Sequence, residues 1–211
     1  MNRHEIAAAL TDITTEKDPT LRMLKLASLC SAVCRKRMVE VVVVGGSAIE
    51  LLTDGAYVSG DLDLCLTNPA TLTLRSRQQL MGELGAQGGP RSWQVGGLFV
   101  DLLGPLEVLA RTPLRSFEGP YGIVRVVQPE ELLVERILVS VYPQPYSPAR
   151  DCARKLVAVS LGGALELDWA EVRRLALSPE YRTLAECRRL VKEVARELKT
   201  KSPLDSDQRR D

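Results

Sequence analysis

Asp61 and Asp63 stand one residue apart in "DLDLCL" (61–66), a stretch that alternates polar and apolar positions. Alternation with a period of two is the pattern of a strand, on which residues i and i+2 point to the same side. Two carboxylates are thereby brought close on an otherwise apolar strand. At about 4 Å and an effective dielectric of about 20, their repulsion is worth about 4 kcal/mol. A hard divalent cation with oxygen ligands offsets such a cost, and Mg²⁺ in particular rests on one or two carboxylates plus substrate phosphates. Asp-x-Asp alone more often marks a solvated strand face. Asp101, in "LFVDLLG", is a third carboxylate among apolar residues with strand character. If its strand lies beside residues 61–66, the three converge as in a two-metal phosphoryl-transfer site, with one ion at the attacking oxygen and the other on the triphosphate.

The stretch upstream suits the same chemistry. "VEVVVV" (39–44) is a continuous β-branched run and reads as a strand covered on both faces. Gly45 and Gly46 break it, and "SAIELLTD" then reads as a helix with Ser47 near its start and Gly55 at its end. Glycines let backbone approach a phosphate closely, and the free amides of a helix start point at it. The spacings GxGxxG and GxxxxGK[ST] are both absent from this stretch, which disfavours a dinucleotide fold or a P-loop.

The remaining elements frame these residues. Residues 2–11 read as a short amphipathic helix, and a second helix starts at Asp18 as N-cap with Pro19 at its first position. Arg35, Lys36 and Arg37 suit the solvated last turn of that helix. Residues 71–85 read as a helix, "RSWQV" and "LFVDLLG" as a hairpin about Gly96-Gly97, and "YGIVRVV" as a strand. "QPEELLVERILVSVY" reads as a helix with Pro129 near its start. "PQPYSP" (143–148) ends it, and three further helices follow before a polar tail. The expected organisation is N-terminal helices (1–37), an α/β core (38–142), an all-helical region (143–200) and a flexible tail (201–211).

Composition narrows the classes. The 211 residues are 45% apolar and 26% charged, ordinary for a globular protein, and aromatics are only 4%, so Leu, Val and Ala must build the core. A net charge of +1 gives no bulk field toward nucleic acid or membrane. Five cysteines with no CxxC pair, and a single histidine near the N-terminus, argue against a Cys/His zinc site. Cys30 and Cys34, four apart on a helix, read as packed small residues rather than a redox pair. No secretory apolar core is seen, and no apolar run approaches the ~20 residues of a membrane span. The expectation is a cytoplasmic protein with reduced thiols and no membrane contact.

Gly-Gly-Ser, a short helix, Ser-Gly-Asp-Leu-Asp-Leu and a later strand aspartate together resemble the polymerase-β-type nucleotidyltransferase superfamily. Its motif is a hydrophobic strand, Gly-[Gly/Ser], a helix, Asp-h-[Asp/Glu] and a third carboxylate, here Gly45, Gly46 or Ser47, Asp61, Asp63 and Asp101. The nearest resemblance is to small bacterial nucleotidyltransferase-like proteins related to type IV toxin–antitoxin nucleotidyltransferases. In those a strand leads into Pro-Glu-Asp-Leu-Ile…Lys and then Arg-x-x-Asp; this sequence has "QPEELLVERIL" and "ARDCARKL". The likeness spans roughly residues 38–160. Two departures stand out: Arg136 occupies the usual lysine position, and Ala48-Ile49-Glu50 lack the basic residue that some toxin members carry.

The resemblance implies an α/β (α+β) fold, a small mixed sheet flanked by helices with an all-helical C-terminal region. It implies Mg²⁺, as one or two ions held by Asp61, Asp63 and Asp101, and an NTP such as ATP as donor. The phosphates would meet Gly45, Gly46 and Ser47. Arg136, Arg150, Asp151 and Lys155 are candidates for nucleotide or triphosphate contacts, although each also suits an ordinary helix surface. Arg91 and Trp93 could approach a nucleotide, with packing the better role for Trp93. Acceptors in such families include the tRNA 3′ end, protein side chains and small molecules such as aminoglycosides. The leading reading is an enzyme that moves an NMP group to a hydroxyl. The alternatives are a catalytically weak binding module, acting with a toxin–antitoxin partner or as a nucleotide sensor, and a plain structural α/β protein.

Overall fold

The computed structural model describes residues 1–67 and 72–205. Position 71, the first residue of one expected helix, and the tail from 206 onward lie outside them. The described residues form eight helices and seven strands: α1 (Arg3–Thr15), α2 (Pro19–Lys36), β1 (Val41–Val44), α3 (Gly45–Leu52), β2 (Asp61–Leu66), α4 (Leu74–Glu83), β3 (Gln87–Gly88), β4 (Ser92–Val95), β5 (Leu98–Pro105), β6 (Arg115–Gly119), β7 (Gly122–Val126), α5 (Pro129–Val141), α6 (Ser147–Leu161), α7 (Trp169–Leu177) and α8 (Leu184–Glu197). The fold is α/β, as the sequence leads one to expect. It divides into two units between residues 127 and 128, the short segment Val108–Pro113 belonging to the second. The Pro-rich stretch 143–148 therefore separates two helices of one unit.

The first unit is a mixed sheet ordered β3-β4-β5-β2-β1-β7-β6. β2 runs antiparallel to β1 and parallel to β5, and β1 runs parallel to β7. One face carries Leu62, Leu64, Leu66, Val100, Leu102, Trp93, Val95, Val41 and Val43, all buried. Helix α1 starts with a reciprocal cap between Asn2 and Glu5, and α2 with the Asp18 carboxylate accepting from the Thr20 and Leu21 amides. Lys25 on α2 ties the two helices by ion pairs to Asp12 at 2.7 Å and Glu16 at 2.8 Å. Tyr121 donates a hydrogen bond of 2.6 Å to Asp12. The cationic end of α2 is exposed to solvent at Arg35, Lys36 and Arg37, where Arg37 pairs with Glu83 and Arg35 reaches the Ile123 carbonyl.

The second unit is helical. Its α5 begins with Gln128 as N-cap and Pro129 at its first position. The Pro-Glu-Glu stretch at this start holds the segment 108–113. Glu131 accepts from the Leu109 and Ala110 amides at 3.0 and 2.6 Å, Glu130 from the Thr112 hydroxyl at 3.0 Å, and the Gln128 amide donates to the Thr112 carbonyl. Both glutamates are buried, so these bonds replace the water they lose. Glu171 on α7 accepts from the Arg111 amide and pairs with Arg174.

Candidate active site

Four local features build the site, all in the first unit. The first is the β2–β5 pairing. Its parallel register sets Asp63 beside Asp101 and Asp61 beside Phe99. Paired residues share a face, so Asp61, Asp63 and Asp101 all lie on the face opposite Leu62, Leu64 and Val100. All three are half-buried, whereas those leucines and the valine are buried. Strand spacing is about 4.8 Å and two residues along a strand span about 6.7 Å, so the three carboxylates stand within side-chain reach of one another. Among the described residues no group of three or more His, Cys, Asp or Glu side chains is placed to hold a metal ion. As a donor set, three carboxylates fit a hard oxygen-seeking cation.

The second feature is the glycine turn. The helix begins at Gly45 itself, so the glycines form the first turn of α3 instead of preceding it. Val44 is the N-cap in an extended conformation, and Gly45, at φ +62°, swings the chain straight from strand into helix. No side chain caps this end. The positive φ favours glycine, and a Cβ here would collide with Oδ2 of Asp63. The backbone of the turn is thus in direct contact with one of the three carboxylates.

The third feature is Ser47, which is fully buried. Its hydroxyl donates to the Val44 carbonyl at 3.0 Å and accepts from the Asp63 amide at 3.1 Å. The donor of the hydroxyl is thereby spent on the backbone, and Ser47 ties the helix start to β2.

The fourth feature is the bend between α3 and β2, whose Ser59 opens the Ser-Gly-Asp-Leu-Asp-Leu stretch without an expected role of its own. Ser59 donates to Asp61 Oδ1 at 3.1 Å, and its own amide donates to Glu50 Oε2 at 2.7 Å. A Cβ on Gly46 would meet Ser59 Oγ at 2.8 Å and the Tyr57 ring at 3.4 Å, so this bend packs directly on the second glycine. Glu50 is fully buried, and burial pushes its carboxyl above the ordinary value. The available signal was one carboxylate inside the apolar helix "SAIELL".

The other expected residues are placed as follows. Trp93 is buried on the core face, so it packs, and Arg91 is exposed. Arg136, Arg150, Asp151 and Lys155 lie on α5 and α6 of the second unit. Arg150 pairs with Glu193 at 2.5 Å, and Arg154 pairs with Glu193 and Glu197, a ladder between α6 and α8. Arg136 pairs with Glu135 at 3.2 Å, while its Nε is buried without a partner. Cys30 and Cys34 are buried free thiols.

Solved structures share this architecture. An antigenic nucleotidyltransferase-like protein from Paracoccidioides brasiliensis superposes with a TM-score of 0.60 at 17% identity, over 85% of this chain and 93% of that one. This chain has a nucleotidyltransferase fold. ANT(2″)-Ia in complex with adenylyl-2″-tobramycin superposes with a TM-score of 0.50 at 15% identity, over 76% of this chain and 97% of that one. The likeness is one of fold, and carries nothing about a toxin–antitoxin relation. No protein-family model and no curated protein sequence matches the chain. Among the described residues no helix is long and apolar enough to cross a membrane.

Proposed function

We propose that the protein transfers a nucleotidyl group from an NTP to a hydroxyl acceptor, with Mg²⁺ as the metal. The observation that carries this reading is the β2–β5 register, which sets Asp61, Asp63 and Asp101 on one face at the foot of an uncapped, glycine-started helix. Bound by these three carboxylates, Mg²⁺ would supply charge neutralisation at the triphosphate. The amides of the Gly45–Gly46 turn bind phosphate oxygens. Ser47 positions the turn against β2. Asp101 accepts the proton of the acceptor hydroxyl as its oxygen forms the bond to the α-phosphorus. The bond from that phosphorus to the bridging oxygen breaks, and pyrophosphate leaves. The fold neighbour solved with adenylyl-2″-tobramycin makes a small polyhydroxylated molecule the first acceptor class to try, with RNA second. The reading rests on the first unit alone and assigns no step to Arg136, Arg150, Asp151 or Lys155.

Calorimetry with each NTP and Mg²⁺ tests it, on the wild type and on Asp61→Asn/Asp63→Asn. The expected result is Mg²⁺-dependent binding that the double variant loses. Absence of binding for every NTP overturns the reading. Tight binding without pyrophosphate release in the presence of acceptor favours a binding module over an enzyme.

A further inference from the structure

Glu50 is a costly residue to place where it stands. It is fully buried in α3 among Ala48, Ile49, Leu51 and Leu52. Oε2 takes the Ser59 amide at 2.7 Å, and the Thr20 side chain of α2 is a second hydrogen-bonding partner of the carboxyl. A buried carboxyl costs stability that an apolar side chain of similar size would not. What it does is specific: it fixes the backbone at Ser59, whose hydroxyl in turn holds Asp61 Oδ1 and lies over Gly46.

We infer that Glu50 is a positioning residue: through the Ser59 amide it sets the bend before β2, so that the Ser59 hydroxyl orients Asp61 toward the glycine turn. The meaning of that orientation rests on the nucleotidyl-transfer reading, in which Asp61 is a metal ligand. Partners behind a ligand commonly change metal affinity by about 10- to 100-fold when removed.

The test uses the full chain, with Mn²⁺ and inorganic tripolyphosphate as a base-independent probe. Bound Mn²⁺ is read by electron paramagnetic resonance, and amide exchange by NMR without ligand. Glu50→Ala should free the Ser59 amide to exchange while the Leu62 and Leu64 amides keep their protection. It should weaken Mn²⁺–tripolyphosphate binding by about tenfold or more. Ser59→Ala removes only the hydroxyl and should weaken binding similarly. The double variant should be no weaker than either single one, because the two act in one chain. Glu50→Gln keeps an acceptor for the Ser59 amide and should restore binding to within about twofold. If Glu50→Ala does not fold, Ser59→Ala and Glu50→Gln still decide the matter. A folded Glu50→Ala or Ser59→Ala variant that binds as the wild type does overturns the inference and leaves the proposed function standing. A wild type that binds no Mn²⁺–tripolyphosphate overturns the proposed function, and the role of Glu50 at Asp61 with it. In that event the Ser59 exchange contrast decides separately whether Glu50 holds the bend.

Discussion

Gly45→Ala should be the most informative single change in the first unit. Gly45 sits at φ +62°, and a Cβ there would collide with Oδ2 of Asp63. The left-handed conformation costs a residue with a Cβ about 1–2 kcal/mol. Displacing the carboxylate adds an overpacking cost of about 1–3 kcal/mol. A central value of about 3.5 kcal/mol, at about 2–4 °C per kcal/mol for a chain of this length, lowers Tm by roughly 7–14 °C. The chain has two tryptophans, and Trp93 is buried on the core face of β4 while Trp169 starts α7. In a Trp169→Phe background, Trp93 fluorescence therefore reports the first unit. Gly46→Ala is the comparison: its φ is not in the left-handed region, and its Cβ would meet the rotatable Ser59 hydroxyl, so it should cost less. Adding Asp63→Ala to Gly45→Ala should recover the collision part and leave the backbone part, making the pair sub-additive. Equal Tm values for Gly45→Ala and the parent, or strict additivity with Asp63→Ala, would refute the close approach of turn and carboxylate.

Two further expectations concern the same unit. The Lys25 ammonium, by hydrogen bonding, holds the Asp12 and Glu16 carboxyls below their ordinary values of 3.8 and 4.5. Depressed carboxyls bind fewer protons in the folded state, so their stabilisation is present above those ordinary values and is lost as pH falls through the folded ones. Lys25→Met should therefore flatten the dependence of Tm on pH between 6 and 3, read by scanning calorimetry, and an unchanged slope would count against the cluster. Burial pushes the Cys34 thiol up to about 12 and raises Cys30 as well. Both should resist a thiol-specific disulfide reagent at pH 8 until denaturant is added, and rapid labelling of either in native protein would contradict the packing.

The residues that matter most at the site were legible because their signals are local. Alternation in "DLDLCL" dictates that Asp61 and Asp63 share the face opposite Leu62 and Leu64, whatever strand lies next door. The run of valines dictates a buried strand, and two glycines dictate an abrupt turn after it. Pro19 after Asp18, and Pro129 after Gln128, mark helix starts through the missing amide and preset φ of proline. Pairing is a different matter. That β5 lies parallel to β2, bringing Asp101 beside Asp63, depends on a long-range choice among strands with similar patterns. Tertiary packing alone makes that choice, because the apolar faces of both strands must close one core. The short strands β3 and β6 carry little apolar periodicity and owe their existence to partners already in the sheet. Glu50 and Ser59 belong to the same class: nothing in "SAIELL" or "YVSGD" says that a carboxylate is sealed from water and turned onto an amide nine residues away. The sequence by itself determined which residues could do chemistry and which side of each element they occupy. Only the tertiary structure decided which of them meet, because faces follow from the local period of the backbone whereas neighbours follow from burying the whole core at once.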